Sequence, residues 1–293
     1  IGESFLFGGL MGRSHIVEFR KIGSTVQLVA RNDRFFAQPA TPEATAVAEG
    51  FSDSLLASAP VASLPHPDRK TVLVELNALL FADIPGAYAL LDRAYRQPYA
   101  FDARNTSIAR ARSSADAIGV LVNAHYSASR LQQPPPVVTP GAPVPGTPSA
   151  LPDPRGLFQG FQYNRGKLPD EPMRPRIADA RVGHFTVSRF DYSNTRTLTP
   201  RINLVKRWRL EKKDPAAALS EPKQPIVFWI DRNVPLRYRD TIVAGVLEWN
   251  KAFERIGFTD AVHAKTQPDG ADLDTLDARH ASIRWMTTAR PVF

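Results

Sequence analysis

Between Leu131 and Arg155 the sequence LQQPPPVVTPGAPVPGTPSALPDPR holds nine of the chain's 26 prolines and no lysine. Proline has no backbone donor and a fixed φ, so neither a helix interior nor a central strand can run through such a stretch. It reads as a semi-extended, solvent-exposed connector, either a linker or a surface loop. On this reading the 293 residues divide into a β-rich amino-terminal domain over 1–130, the connector over 131–155, a β-hairpin extension of that domain over 156–224, and a new unit over 225–293. A length of about twice the common domain size accommodates that division.

Upstream of the connector, His15–Arg20 and Thr25–Val29 alternate around a turn at Ile22-Gly23-Ser24, as two paired strands do. Thr71–Leu76 and Ile118–Tyr126 are further strand candidates, and Ala87–Arg96 suits a short helix, so the amino-terminal portion is expected to be mostly β with little helix. Downstream, His184–Tyr192 and Arg201–Glu211 fit a long hairpin. After Pro225 the period changes. Ile226–Ile230 is continuously apolar, as in a strand covered on both faces. From Leu236 to Ile256 apolar residues recur at three- and four-residue steps, with Pro235 suited to the first turn and Gly257 to a left-handed stop. Ala281–Met286 alternates again, so 225–293 reads β, then α, then β.

Composition removes several function classes. A 43% hydrophobic and 23% charged chain is ordinary for a globular fold. With no cysteine it has no disulfide, no thiolate metal site and no cysteine nucleophile. No apolar run approaches the ~18 residues of a membrane-spanning helix. Ile1–Met11 resembles the apolar middle of a signal peptide, but it lacks a basic start and carries Glu3, which argues against that reading; a signal already removed upstream is equally consistent. The net charge of +8 could mean an anionic partner, but the basic residues are spread along the chain and the densest stretch, Lys206, Arg207, Arg209, Lys212 and Lys213, is interrupted by Leu210 and Glu211, so a solvated face is expected.

No local motif completes a catalytic set. The closest pair among His15, His66, His125, His184, His263 and His280 lies 17 positions apart, whereas a helical zinc site needs two imidazoles one turn apart. Asp269, Asp272, Asp274 and Asp277 suggest calcium, but their spacing departs from an EF-hand loop and a solvated turn is expected. Gly2, Gly8, Gly9 and Gly12 form no phosphate loop, and no GxSxG occurs. The expected site list is empty: no catalytic, cofactor-binding or metal-binding residue.

Three segments carry a resemblance: Trp208-Arg209-Leu210-Glu211-Lys212, Phe228-Trp229-Ile230-Asp231-Arg232 and Glu248-Trp249-Asn250-Lys251-Ala252-Phe253. In this order and spacing, residues 168–293 resemble bacterial secreted or periplasmic zinc-dependent metallopeptidases, and 1–130 resemble them more loosely; His184 departs from the aromatic residue more usual in the family. The resemblance implies an α+β chain, with a β-rich amino-terminal domain followed by the first β-α-β elements of a metzincin-like α/β catalytic domain. It implies zinc in the complete enzyme, held by an HExxHxxGxxH helix that would follow Phe293, and none bound by this chain. The implied partners are a peptide or protein substrate and the remainder of the catalytic domain, with no nucleic acid and no membrane span. The implied location is periplasmic or extracellular, and the chain alone is expected to be inactive. The alternative is a non-enzymatic binding module whose basic hairpin at 201–213 grips an anionic partner.

Overall fold

In the computed structural model, residues 8–137, 140–270 and 273–288 are described. The first seven residues of the apolar start, Gly2 and Asp272 lie outside them. The chain is α+β and rich in β, and its described residues form four three-stranded sheets and short helices.

The first sheet grows from the alternation around Gly23. Strands β1 (Val17–Ile22) and β2 (Thr25–Ala30) pair antiparallel across that turn, where Gly23 takes φ +57°, a region costly to residues with a Cβ. The short β3 (Phe35–Phe36) leaves this sheet, and helix α1 (Pro42–Gly50) follows, with the Thr41 hydroxyl accepting the Ala44 N–H and Pro42 in its first turn. Strand β4 (Ser54–Pro60) returns to complete the order β1-β2-β4.

Helix α2 (Leu76–Leu80) couples two cores through adjacent residues. Leu79 is buried with Leu28, Ala57 and Ala59 of the first sheet, while Leu80 is buried in the core of the second. The expected strand at Thr71–Leu76 does not form: Val74 makes one isolated bridge to Val61, and Leu76 already opens α2. The Leu76-Asn-Ala-Leu-Leu run has the helical spacing that puts apolar residues on two neighbouring cores, and that burial outweighs the short alternation before it. With α1, α2 and the helix below, the amino-terminal portion holds more helix than its sequence pattern predicts.

Helix α3 (Ala87–Tyr95) follows from Asp83, whose carboxylate accepts the N–H groups of Ala87 and Tyr88 at 2.8 and 2.9 Å. Its buried face, Ala87, Leu91 and Tyr95, packs on a meander of β5 (Ala100–Ser113), β6 (Ala117–Ser127) and β7 (Gly156–Gly166). Val120, Val122, Ala124 and Tyr126 alternate along β6 and are almost fully buried, so one face of this sheet makes the largest core. Because β6 and β7 pair along their whole length, the proline-rich run is the loop between two neighbours in one sheet. It is stitched down as well. Gln97 donates to the carbonyls of Gln132 and Gly146, Gly146 N–H donates to Tyr95 O, and Leu131 and Leu151 pack on the core.

Strands β8 (Thr186–Asp191) and β9 (Arg201–Val205) form the expected hairpin, with β3 on the other side of β8. The hairpin is shorter than its alternation suggests. Beyond Val205 the chain leaves to cover the next core, where Leu210 packs against Ile226 and Val262, and Trp208 meets Phe228 edge-on.

The last sheet is parallel. Strand β10 (Ile226–Ile230) is central, flanked by β11 (Val262–Thr266) and β12 (Ala281–Ile283). The expected single helix is two, α4 (Leu236–Leu247) and α5 (Trp249–Glu254), divided at Glu248, so that α5 can dock its Asn250 on Val262. Gly257 ends the run at φ +90°, as expected; a Cβ there would stand 2.8 Å from the Ala218 carbonyl. None of the helices in the described residues is long and apolar enough to cross a membrane.

Candidate functional site

In parallel sheets the strands' carboxyl ends converge on one edge, where loops are free to build a site. Here that edge collects Asp231 after β10, Gln267 after β11, and Arg284 and Trp285 after β12. The ladder holds it together, since Asp231 N–H donates to Ile283 O and Gln267 N–H to Ile230 O, each at 2.9 Å.

Asp231 is the chemical centre of the edge and is only 5% exposed. A buried carboxylate needs partners, and it has them. One oxygen accepts the Asn233 N–H at 2.8 Å; the other accepts the Thr275 hydroxyl and lies 3.7 Å from the Arg284 guanidinium. Thr275 is itself held by Ser282, whose hydroxyl donates to the Thr275 carbonyl. Asn233 exchanges two hydrogen bonds with the backbone of Trp285, and Gln267 bridges Arg232 N–H to the Leu273 carbonyl. These polar side chains brace the loops against one another, which leaves a rigid edge and an acid whose oxygens are both engaged. Above them Tyr238 stacks on the half-exposed Trp285 with ring centroids 5.2 Å apart, and Arg237 lies over Tyr238. The arrangement can position a neighbouring segment or an extended ligand; it supplies no free base or nucleophile.

The histidines are dispersed. His15 and His184 are exposed, and His66 Nδ1 accepts the N–H groups of Asp68 and Arg69 within a turn. His263 pairs with Asp260, His125 with Asp102, and His280 meets Trp229 edge-on. Asp274 and Asp277 do not converge: Asp274 binds Arg110, and Asp277 binds Arg279, whose guanidinium holds the Asp277 carboxyl below the usual range. Among the described residues no three His, Asp or Glu side chains gather as metal ligands would.

The basic stretch is largely occupied internally. Lys213 pairs with Glu221, Arg209 and Lys223 share Glu211, Lys212 donates to the carbonyls of Ala217 and Ala218, and Arg207 donates to Arg174 O.

Asp231, Gln267 and Thr275 carry no sequence signal of their own. Only the switch to a continuous apolar strand followed by a helix points to this edge, because it marks a parallel sheet. A scan against family models matches residues 9–213 to a family described as Domain of unknown function (DUF5117). Searches of curated proteins and of solved structures return no match.

Proposed function

From the premise that the chain belongs to the DUF5117 family, we propose that it is the non-catalytic amino-terminal portion of a secreted or periplasmic zinc-dependent metallopeptidase that hydrolyses peptide bonds. The observation that carries this reading is the parallel unit β10-α4-α5-β11-β12. It directly follows the family-matched region, and its first strand and helices hold the FWIDR and EWNKAF segments that resemble such peptidases.

The exposure of the unit supports the same reading. Parallel sheets are normally buried on both faces. Here Leu236, Trp249 and Ile256 on the helical side are 76%, 64% and 66% exposed, and β11 and β12 are the sheet's outer strands. A surface of that kind is suited to receive the remainder of a catalytic domain. The β-rich region then acts as a scaffold that braces the edge: Arg110 reaches Asp274 at 2.6 Å, Asn164 donates to Leu276 O, and Arg279 to the Ser114 hydroxyl. In the complete enzyme zinc would supply the activation of water for attack on the peptide carbonyl. This chain's residues hold the sheet edge and orient what docks there.

The test is the coding sequence beyond Phe293. The reading requires an HExxHxxGxxH segment in frame; a downstream sequence without HExxH ends it.

A further inference from the structure

We propose that the end of the β8-β9 hairpin is a docking surface for an anionic lipid bilayer, with Phe185 and Ile177 entering the acyl boundary and Arg174, Arg176, Lys206 and Arg207 taking the lipid phosphates. The peptidase reading uses none of these groups.

Backbone hydrogen bonds bring the residues together. Strand β9 has β8 on one side and the segment 174–178 on the other, where Val205 N–H donates to Arg176 O at 2.9 Å and Ala178 N–H to Asn203 O at 2.8 Å. Past the last residue of β9 the ladder runs one rung further, with Lys206 N–H donating to Phe185 O at 2.8 Å. The Arg207 guanidinium then donates to Arg174 O at 3.0 Å. Three chain segments therefore lie side by side at one end of the sheet, and all four cations sit there.

The same end carries an open apolar face. Ile177 bridges Leu204, and Leu204 stands opposite Val187. Side chains alternate between faces along a strand, so Ile177, Leu204, Val187 and Phe185 share one face, and Lys206 joins them beside Phe185. Phe185 is 88% and Ile177 72% exposed, and Val187 is also exposed.

The charge is not neutralised internally. Arg174, Arg176, Lys206 and Arg207 are exposed, and among the described residues none of them pairs with a carboxylate. Asp170 and Asp179 in the neighbouring chain are taken by Lys167 and Arg181, which leaves Glu171 as the acid there without a cation.

Four free cations would suit any polyanion; the apolar face selects the bilayer. Aliphatic side chains such as Ile177 and Val187 gain nothing from phosphates or stacked bases, but they leave water on entering acyl chains. Long Lys and Arg stems let the charged heads stay at phosphate level while the apolar groups sit deeper.

The experiment sediments the chain with vesicles of phosphatidylcholine containing phosphatidylglycerol and with vesicles of phosphatidylcholine alone, with a single-stranded oligonucleotide as a parallel ligand. The anionic vesicles should bind and the neutral ones only weakly. Arg176→Glu with Lys206→Glu should weaken binding by at least about 25-fold, since each cation at the surface is worth about 5-fold. Phe185→Ser, which leaves the charge unchanged, should weaken it by about 10-fold or more. Lys213→Glu, at a cation already paired with Glu221, is the control and should stay within about 2-fold. The side chains at 176, 185 and 206 are exposed, so these variants keep the fold. No binding to anionic vesicles, equal binding to neutral ones, or a Phe185→Ser protein that binds vesicles as tightly as the parent overturns the proposal. Oligonucleotide binding tighter than vesicle binding and indifferent to Phe185→Ser also overturns it, and assigns the cations to a nucleic acid.

Discussion

Asn250 closes the outer edge of β11 by engaging both backbone groups of Val262. Its Nδ2 donates to the Val262 carbonyl at 2.9 Å and its Oδ1 accepts the Val262 N–H at 2.8 Å. Val262 is 2% exposed, so removing the amide leaves two buried backbone groups unsatisfied, at about 1–3 kcal/mol each. Asn250→Ala should lower the urea midpoint accordingly. Asn250→Asp, which keeps an acceptor and loses the donor, should fall between. Equal stability of all three proteins would show that the helix is not tied to the sheet through this residue.

Leu79 is buried in the core of the first sheet, and its neighbour Leu80 in that of the second. Leu79→Ala should cost about 2–5 kcal/mol. Because α2 couples the sheets, thermal unfolding followed by near-UV and far-UV circular dichroism should shift together. A loss confined to one probe would mean that the two sheets unfold independently.

Gly257 cannot take a Cβ without strain, given its φ of +90° and the Ala218 carbonyl 2.8 Å from the Cβ position. Gly257→Ala should destabilise by roughly 1–3 kcal/mol. Gly50→Ala, at a glycine with nothing near its Cβ position, is the matched control and should be close to neutral.

The proline-rich loop should be cut first by a broad-specificity protease, but only in part. Its ends are held by Gln97 to Gln132, Gly146 to Tyr95, and the Tyr99 hydroxyl to Pro154. Early cuts mapped by mass spectrometry should fall within 133–145, and cuts within 146–155 should appear only later.

Acid should weaken the fold through its surface carboxylates. Arg155 holds the Asp153 carboxyl down at about 2, and Arg181 does the same for Asp179. A carboxyl depressed in the folded state contributes stability that is complete above its unfolded value near 3.8 and is lost as pH falls through the folded value. The urea midpoint should therefore decline between about pH 4 and 2, and Asp153→Asn with Asp179→Asn should flatten that decline.

Alternation made β1, β2, β6, β8 and β9 readable, and the continuous apolar run made β10 readable. Strand β7 was not, because its glycines at 156, 160 and 166 read as loop residues, while only the register with β6 reveals that they line one face. Strand β5 was hidden by its arginines and by the bulge at Asp102, which breaks its period. The helix after β10 was legible in extent but not in its division at Glu248, which depends on where Val262 sits. The buried Asp231 gave no signal, since its partners Thr275 and Arg284 are distant in sequence and meet it only when β10 and β12 pair.

The most direct measurement compares this chain with the complete gene product for zinc content after dialysis and for cleavage of an unfolded protein substrate. The account predicts about one zinc per complete chain, with cleavage abolished by chelator, and neither property in residues 1–293 alone. A complete product that holds no zinc and cleaves nothing would contradict it.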